Sequence, residues 1–180
     1  PISEEHVIFR ESLRKFIAAE IIERYADWEQ EGIIPREIWK KFGENGYLCP
    51  WASEEYAGSG ADYLYSVIIT EELSRAGVGS LFVPLHNDIV APYIDSYGTA
   101  EQKARWLPGC VSGDIILAVA MTEPDVASSD ATNITTLISR DGDDYVINGR
   151  KWFITNAAHP DCRILIVMGK TDLTADAYRQ

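Results

Sequence analysis

Apolar residues in the first part of the chain recur every three or four positions, which is the spacing of an amphipathic helix. Phe9, Leu13, Ile21 and Trp28 belong to one such stripe, and it predicts a single long helix that ends at Gly32. The same spacing returns in shorter stretches up to about residue 110. We therefore expect this whole part of the chain to be helical.

Two polar signals mark the starts of later helices. Asp62 suits the N-cap of a helix that extends through Arg75, because its carboxylate can accept hydrogen bonds from the first free N–H groups. Thr99 and Gln102 have the spacing of a capping box. We expect Pro108 to end the helix that this box begins, because proline has no N–H for the helical ladder.

The hydrophobic period changes near residue 115 from that of helices to that of strands. Short apolar or β-branched stretches of strand length cover residues 115–121, 132–140, 145–147, 150–155 and 163–169. Asn148-Gly149 has the composition of a type I′ turn, so we predict a hairpin with a strand on either side of it. The pattern thus predicts an α+β chain, with a helical domain at residues 1–114 and the start of a β domain at residues 115–180.

This β part looks incomplete, because only four or five strands fit into it and its last ten residues are polar. A sheet that stops there has an open edge with unpaired backbone groups. We expect either that the chain is a fragment or that something else covers the edge.

Charge and composition exclude several classes of function. The 180-residue chain has a formal net charge of −12, and so acidic a surface disfavours nucleic-acid binding but suits a basic protein partner. No stretch approaches the roughly 18 consecutive apolar residues of a membrane-spanning helix, so we predict no membrane span. His6, His86 and His159 stand on separate predicted elements, and we expect no metal site.

The segment after the first predicted strand has two interpretations. Pro124 lacks the N–H that a sheet ladder needs, so the chain leaves the sheet near Thr122. One interpretation is a plain loop with a side-chain-capped turn at Ser128-Ser129-Asp130. The other is a binding loop, in which free backbone N–H groups and the hydroxyls of Thr122, Ser128 and Ser129 contact a ligand with phosphates or a heteroaromatic edge.

The segment Lys151–Asn156 is equally ambiguous by itself. Phe153 in a strand usually belongs to a core, but an aromatic ring two positions from the hydroxyl of Thr155 could also contact a flat ring system.

Taken together, Met121-Thr-Glu-Pro124 and Lys151-Trp-Phe-Ile-Thr-Asn156 resemble the flavin-binding segments of the acyl-CoA dehydrogenase family. Three further blocks, residues 46–73, 86–108 and 145–149, also resemble this family and occur in its order, so the resemblance covers essentially the whole chain. It implies an all-α N-terminal domain, then an incomplete β-barrel-like middle domain. The family's C-terminal four-helix domain would be absent from this chain.

The resemblance implies FAD as the cofactor and assigns roles to individual positions. The implied flavin-binding residues are Val119, Met121, Thr122, Ser128, Ser129, Phe153, Ile154 and Thr155. Met121 and Thr122 match the residues that contact the pyrimidine side of the ring, Phe153 the aromatic that packs on it, and Thr155 the hydroxyl that bonds N5. Ser129 matches the serine that contacts the pyrophosphate and lies close to the acyl-CoA substrate.

The loop departs from the usual family pattern. It is one residue longer, lacks glycine, and looks like a subgroup that carries Thr-Glu-Pro-Asp-Val-Ala-Ser-Ser-Asp-Ala-Thr-Asn. Without glycine the backbone is more restricted, so either Ser128 or Ser129 is the main contact. Glu123 and Pro124 match positions that shape the loop, and Glu123 is not the catalytic base.

The implied reaction is α,β-dehydrogenation of an acyl-CoA thioester, with hydride transfer to flavin N5. No catalytic residue is assigned here, because the family's glutamate base lies in the C-terminal domain. Implied partners are an electron-transferring flavoprotein and further copies, as a homodimer or homotetramer. The compartment would be the cytoplasm in a bacterium, and the mitochondrial matrix or peroxisome in a eukaryote. A flavin oxidase of the same architecture and a non-catalytic helical–β module remain alternatives.

Overall fold

The computed structural model describes residues 2–126, 130–172 and 174–175. Apart from three short 3-10 turns, the helices in this part of the chain are α1 (Glu4–Glu20), α2 (Tyr25–Glu31), α3 (Arg36–Glu44), α4 (Tyr63–Arg75), a π-helical turn (Leu85–Val90), α5 (Ala91–Tyr97) and α6 (Ala100–Ser112). The strands are β1 (Ile116–Ala120), β2 (Leu137–Asp141), β3 (Asp144–Asn148) and β4 (Cys162–Val167). A helical domain is therefore followed by part of a β domain, as the sequence predicts.

The prediction of one long helix ending at Gly32 is wrong in one respect. The helix breaks after Glu20, and α2 then ends at Gly32, which adopts the left-handed conformation with φ 73°. The amides of Ile21 and Ile22 both donate to the carbonyl of Ile17, which loosens the last turn of α1. The apolar spacing continues through the break, and no glycine or proline lies in residues 21–24 to signal it.

The two predicted helix starts are confirmed. The side chain of Asp62 accepts a hydrogen bond from the backbone of Leu64 at 2.9 Å, and α4 ends at Arg75. Thr99 and Gln102 form a complete capping box at the start of α6. Each cap satisfies backbone N–H groups that the first helical turn leaves unpaired.

Pro108 does not end α6, which continues to Ser112. The buried residues Leu107, Cys110 and Val111 lie on either side of the proline and pack into the core. Continued burial of this face offsets the hydrogen bond that the missing N–H of Pro108 removes.

A partly buried ionic cluster joins α1 to α4. Glu72 is only 3% exposed, and its carboxylate accepts hydrogen bonds from Arg10 and Arg14, including one of 2.9 Å from Arg14 Nη2. The hydrogen bonds from Arg14 lower the pKa of Glu72, although burial opposes this, and the one from Arg10 adds to the effect. The cluster satisfies a carboxylate that the apolar interior would otherwise destabilise.

The strands form two small sheets. β1 pairs with β4 in parallel, and β2 pairs with β3 in an antiparallel hairpin, with a single bridge from Leu137 to Lys170 between the hairpin and the segment after β4. Ile116 and Leu117 of β1 are fully buried, each in a different core cluster that also contains helical residues. β1 therefore attaches the β part to the helical domain.

The predicted hairpin around Asn148-Gly149 is wrong. The hairpin turn lies at Gly142, whose φ of 62° permits the tight turn between β2 and β3, and residues 150–155 form no strand. Gly149 serves a different purpose, because a Cβ there would lie 2.1 Å from Thr136 Oγ1. Close approach of two segments, rather than a turn, requires glycine at this position.

In the described residues, no helix combines the length and apolar character that crossing a bilayer requires.

Two glycines with similar φ angles provide a stability test of the fold. Gly113 (φ 76°) and Gly77 (φ 72°) are both left-handed, but a Cβ on Gly113 would lie 2.3 Å from the carbonyl oxygen of Trp39, whereas one on Gly77 meets nothing within 4 Å. We expect Gly77→Ala to lower the free energy of unfolding by about 1–2 kcal/mol. Gly113→Ala should cost about 1–3 kcal/mol more, because the backbone of α3 must shift. Urea unfolding curves measure both, and equal losses would contradict this packing.

Candidate functional site

The two sequence segments singled out above lie side by side in the structure. Met121 and Thr122 follow directly after β1, and the Nζ of Lys151, 30 residues later, donates to the carbonyl of Met121 at 2.9 Å. The backbone N–H of Trp152 donates to the carbonyl of Thr122 at 3.1 Å. Residues 121–122 and 151–152 therefore form one continuous edge.

Glu123 is the buried centre of this region. Its carboxylate is 3% exposed and accepts hydrogen bonds from Lys151 Nζ at 2.8 Å, from the backbone N–H of Thr135 and Thr136 at 2.7 and 2.9 Å, and from both threonine hydroxyls. Burial opposes ionisation, but the hydrogen bonds from Lys151, Thr135 and Thr136 outweigh it and hold the pKa of Glu123 well below its usual range. A carboxylate so fully bonded shapes the loop and is not available as a base.

Phe153 does not belong to the core, so the first of the two interpretations of its segment is wrong. Its ring is 83% exposed and lies against Trp152, with ring centroids 4.6 Å apart. The backbone of Phe153 is left-handed (φ 50°), and so is that of Asn156 (φ 68°). Two strained residues within four positions mark a segment whose conformation the surrounding contacts impose, as is common at ligand sites.

The far end of the same segment is fixed to β1 and to the helical domain. Asn156 Nδ2 donates to the carbonyl of Leu117 at 3.2 Å. His159 Nδ1 accepts the backbone N–H of Asp161, so its proton is assigned to Nε2, which donates to the carbonyl of Ile34 at 3.0 Å. Thr155 is thus held between fixed points on both sides.

Ile154 and Thr155 line a cavity of about 400 Å³ between this segment and the helical domain. Trp28, Ile34 and Phe82 supply its apolar wall. This volume is within the range of about 300–1,000 Å³ typical of small-molecule sites. The cavity does not extend to the other described candidate residues, which are Val119, Met121, Thr122 and Phe153.

The remaining candidate residues lie away from this cavity or outside the described part of the chain. Val119 lies in β1 opposite Ile166 of β4, half-buried. Ser128 and Ser129 lie outside the described residues. Asp130, just after them, accepts hydrogen bonds from the backbone of Thr132 at 3.0 Å and from two nearby side chains. In the described ranges, no group of His, Cys, Asp and Glu side chains is arranged to hold a metal ion.

Several polar groups on this edge, and one on the segment that follows residue 152, are free for a ligand. The hydroxyls of Thr122 and Thr155 and the backbone N–H of Met121 make no hydrogen bond to another described residue. All three residues are half-buried, so their polar groups are partly shielded from water but remain accessible. Unpaired donors beside an exposed aromatic ring suit a flat heteroaromatic ligand with polar edges.

Sequence reasoning did not identify Lys151, Thr135 and Thr136 as structural partners of Glu123. Their pairing depends on contacts 12 to 28 residues apart. The signal in the sequence is a lysine directly before the apolar residues Trp152, Phe153 and Ile154, and this does not specify a partner.

Two family models match the chain. The acyl-CoA dehydrogenase N-terminal domain matches residues 3–114, and the acyl-CoA dehydrogenase middle domain matches residues 118–179. The chain belongs to the acyl-CoA dehydrogenase family.

Individual relatives agree with this assignment. The mitochondrial long-chain specific acyl-CoA dehydrogenase of Mus musculus is 39% identical over 98% of this chain and 41% of its own length. The acyl-CoA dehydrogenase of Geobacillus kaustophilus has a crystal structure with a TM-score of 0.90 and 53% identity, covering 97% of this chain and 45% of that one. That of Bacillus anthracis, complexed with FAD, has a TM-score of 0.82 and 32% identity, covering 92% and 29%. The chain thus spans less than half the length of these relatives.

The hydrogen bonds of Glu123 generate a pH-dependent prediction. Its pKa is lowered in the folded protein, so its ionised form stabilises the fold fully above the unfolded pKa of about 4.3. Below that pH the unfolded chain binds a proton that the folded chain does not, and this stabilisation declines by up to about 1.4 kcal/mol per pH unit.

We expect Glu123→Gln to lower the free energy of unfolding by about 2–4 kcal/mol near pH 7, because an amide faces donors that it cannot satisfy. The difference from the unsubstituted protein should shrink as the pH falls from about 5 to about 3. Urea unfolding at several pH values measures this. A difference that stays constant over that range would show that the charge of Glu123 contributes nothing.

Proposed function

We propose that the complete protein is an FAD-dependent acyl-CoA dehydrogenase, which introduces an α,β double bond into an acyl-CoA thioester. Family membership supports this, and so does the described part of the site. The observation that carries the proposal is the edge formed by residues 121–122 and 151–152, which brings both flavin-segment motifs together. The domain boundary that we propose, between residues 114 and 115, lies between α6 and β1.

The residues of this edge fit a flavin. The free N–H of Met121 and the hydroxyl of Thr122 would bind the pyrimidine side, and the free hydroxyl of Thr155 would donate to N5. The exposed ring of Phe153 would cover part of the isoalloxazine, while Val119 and Ile154 supply the apolar surroundings. Ser129, or Ser128 in the longer loop, would bind the pyrophosphate. The flavin, when bound, supplies the hydride acceptor, and the protein orients and shields it.

The substrate would bind beside Thr155, where the cavity between the β part and the helical domain offers an apolar wall. Burial there excludes water and strengthens hydrogen bonds to the thioester carbonyl, whose polarisation makes the α-proton acidic. Within the described residues Glu123 is unsuited as the base, since its carboxylate is saturated with donors. We propose, as the resemblance to the family implies, that the base belongs to a part of the complete protein outside this chain.

We also propose a protein partner, an oligomeric state and a compartment for the complete protein. Electrons would pass from the flavin to an electron-transferring flavoprotein. The net charge of −12 on this chain suits a basic docking surface on that partner. We propose a homodimer or homotetramer for the complete protein. Its compartment would be the cytoplasm in a bacterium and the mitochondrial matrix or peroxisome in a eukaryote.

The direct test is the visible spectrum of the protein expressed from its complete gene. We expect a yellow protein whose flavin absorbance bleaches when an acyl-CoA is added without oxygen. Oxygen consumption in air distinguishes an oxidase from a dehydrogenase that needs a protein acceptor. A colourless protein that takes up no added FAD would refute the proposal.

Thr155→Val in the complete protein tests the N5 contact. Valine keeps the shape but removes the hydroxyl, so we expect the rate of flavin reduction by acyl-CoA to fall at least about tenfold, equivalent to about 1.4 kcal/mol in the barrier. The free energy of unfolding should change by less than about 0.5 kcal/mol, because the hydroxyl bonds no described residue. Thr155→Ser is the matched control and should retain most of the rate. Equal reduction rates in all three proteins would exclude this role.

Ser129→Ala and Ser128→Ala, compared in the complete protein, determine the register of the longer loop. We expect Ser129→Ala to weaken FAD or acyl-CoA binding by about tenfold, because a hydrogen bond to a charged phosphate is worth about 1.5–3 kcal/mol. Ser128→Ala should leave both affinities nearly unchanged. Isothermal titration of the FAD-free protein measures them, and the reverse pattern would move the contact to Ser128.

A further inference from the structure

Lys151 connects the two halves of the proposed flavin edge. Its Nζ lies 2.9 Å from the carbonyl oxygen of Met121 and 2.8 Å from Glu123 Oε1, and its side chain is only 11% exposed. One ammonium group thus binds both the main chain and the side chain of the segment after β1. A lysine so enclosed fixes position, because it cannot move without leaving Glu123 unpaired.

Glu123 extends this connection to a third segment. Its second oxygen accepts the backbone N–H of Thr135 at 2.7 Å and the hydroxyl of the same residue at 2.6 Å. The carboxylate therefore ties residues 121–123, 135–136 and 151 to one point. Removing either charged partner would leave the charge of the other buried without a counter-ion.

Contacts on both sides of Thr155 in the chain fix its position relative to β1. On one side, Lys151 holds the chain to Met121 at the end of β1, and on the other Asn156 holds it to Leu117 inside β1. The left-handed backbone of Phe153 takes up the bend between these two fixed points. The separation of the Met121–Thr122 edge from Thr155 thus depends on the contacts that Lys151 and Asn156 make with β1 and the residue after it.

We propose that Lys151 and Glu123 are positioning residues, which set the distance between the pyrimidine-binding edge and the Thr155 hydroxyl so that one ring contacts both. The proposal rests on the proposed function. We assign neither side chain a role in proton transfer, since Glu123 accepts five hydrogen bonds and Lys151 Nζ is held between the oxygens of Met121 and Glu123. A shift of about 1 Å between binding groups is enough to weaken their joint contact with one ligand strongly.

The chain contains a matched control for this pair. Glu72 is also 3% exposed and also accepts several hydrogen bonds from cationic side chains, those of Arg10 and Arg14. It joins α1 to α4, and neither helix supplies a residue to the site. Substituting Glu72 reports what the loss of a buried ion pair does to stability alone.

The experiment compares Lys151→Met, Lys151→Arg and Glu72→Gln in the protein expressed from its complete gene. The dissociation constant of FAD is measured by quenching of flavin fluorescence, and the visible spectrum of bound flavin is recorded. We expect Lys151→Met to raise the dissociation constant of FAD about tenfold or more and to shift the flavin spectrum. Loss of a residue that orients the ligand-binding groups has an effect of this size at metal sites. Lys151→Arg should recover part of the affinity, and Glu72→Gln should lower stability with an unchanged dissociation constant.

Thr135→Val is the milder second variant, in case Lys151→Met does not fold. It removes one hydroxyl donor to Glu123 and should raise the dissociation constant in the same direction by a smaller factor. Unchanged FAD affinity and spectrum in the Lys151 and Thr135 variants would overturn the positioning role. An equal loss of affinity in Glu72→Gln would do so too, because the effect would then follow stability. If the unsubstituted protein binds no FAD, the proposed function itself fails.

Discussion

The buried carboxylate of Glu123 is the constraint on which the arrangement of the site depends. A charge enclosed by protein is costly unless donors surround it, and here Lys151 and two successive threonines supply those donors. Together with Glu123 itself they belong to three separate stretches of chain, so the requirement to satisfy one side chain brings those stretches together. The free groups of Met121 and Thr155 are located as a consequence, although neither touches Glu123.

The helical domain provides the base for this arrangement. β1 starts inside the core, where Ile116 and Leu117 are fully buried among helical residues, and it leads directly to Met121. His159 contacts the carbonyl of Ile34 and thereby fixes the end of the second flavin segment to the same domain. The cavity beside Thr155 forms where these two attachments leave space between the domains' surfaces.

Local signals made much of the fold predictable from the sequence, and long-range contacts explain what was missed. The cap at Asp62 and the apolar run of β1 depend on neighbouring residues, and both were predicted. The proline in α6 was misjudged because burial on either side of Pro108 outweighs one lost hydrogen bond. The sequence places the hairpin wrongly because Gly149 is required by its close approach to Thr136, and a residue 13 positions away is not part of any turn pattern.

The same distinction applies to the site. The motifs around Thr122 and Thr155 were visible as motifs, but the ion pair that joins them depends on a fold that brings residue 151 to residue 123.

The most direct test of the account is a crystal structure of the complete protein with FAD bound. We predict that flavin N5 lies within hydrogen-bond distance of the Thr155 hydroxyl while the pyrimidine edge contacts Met121 and Thr122. A flavin bound elsewhere, or one that contacts only one of these two groups, would contradict the account.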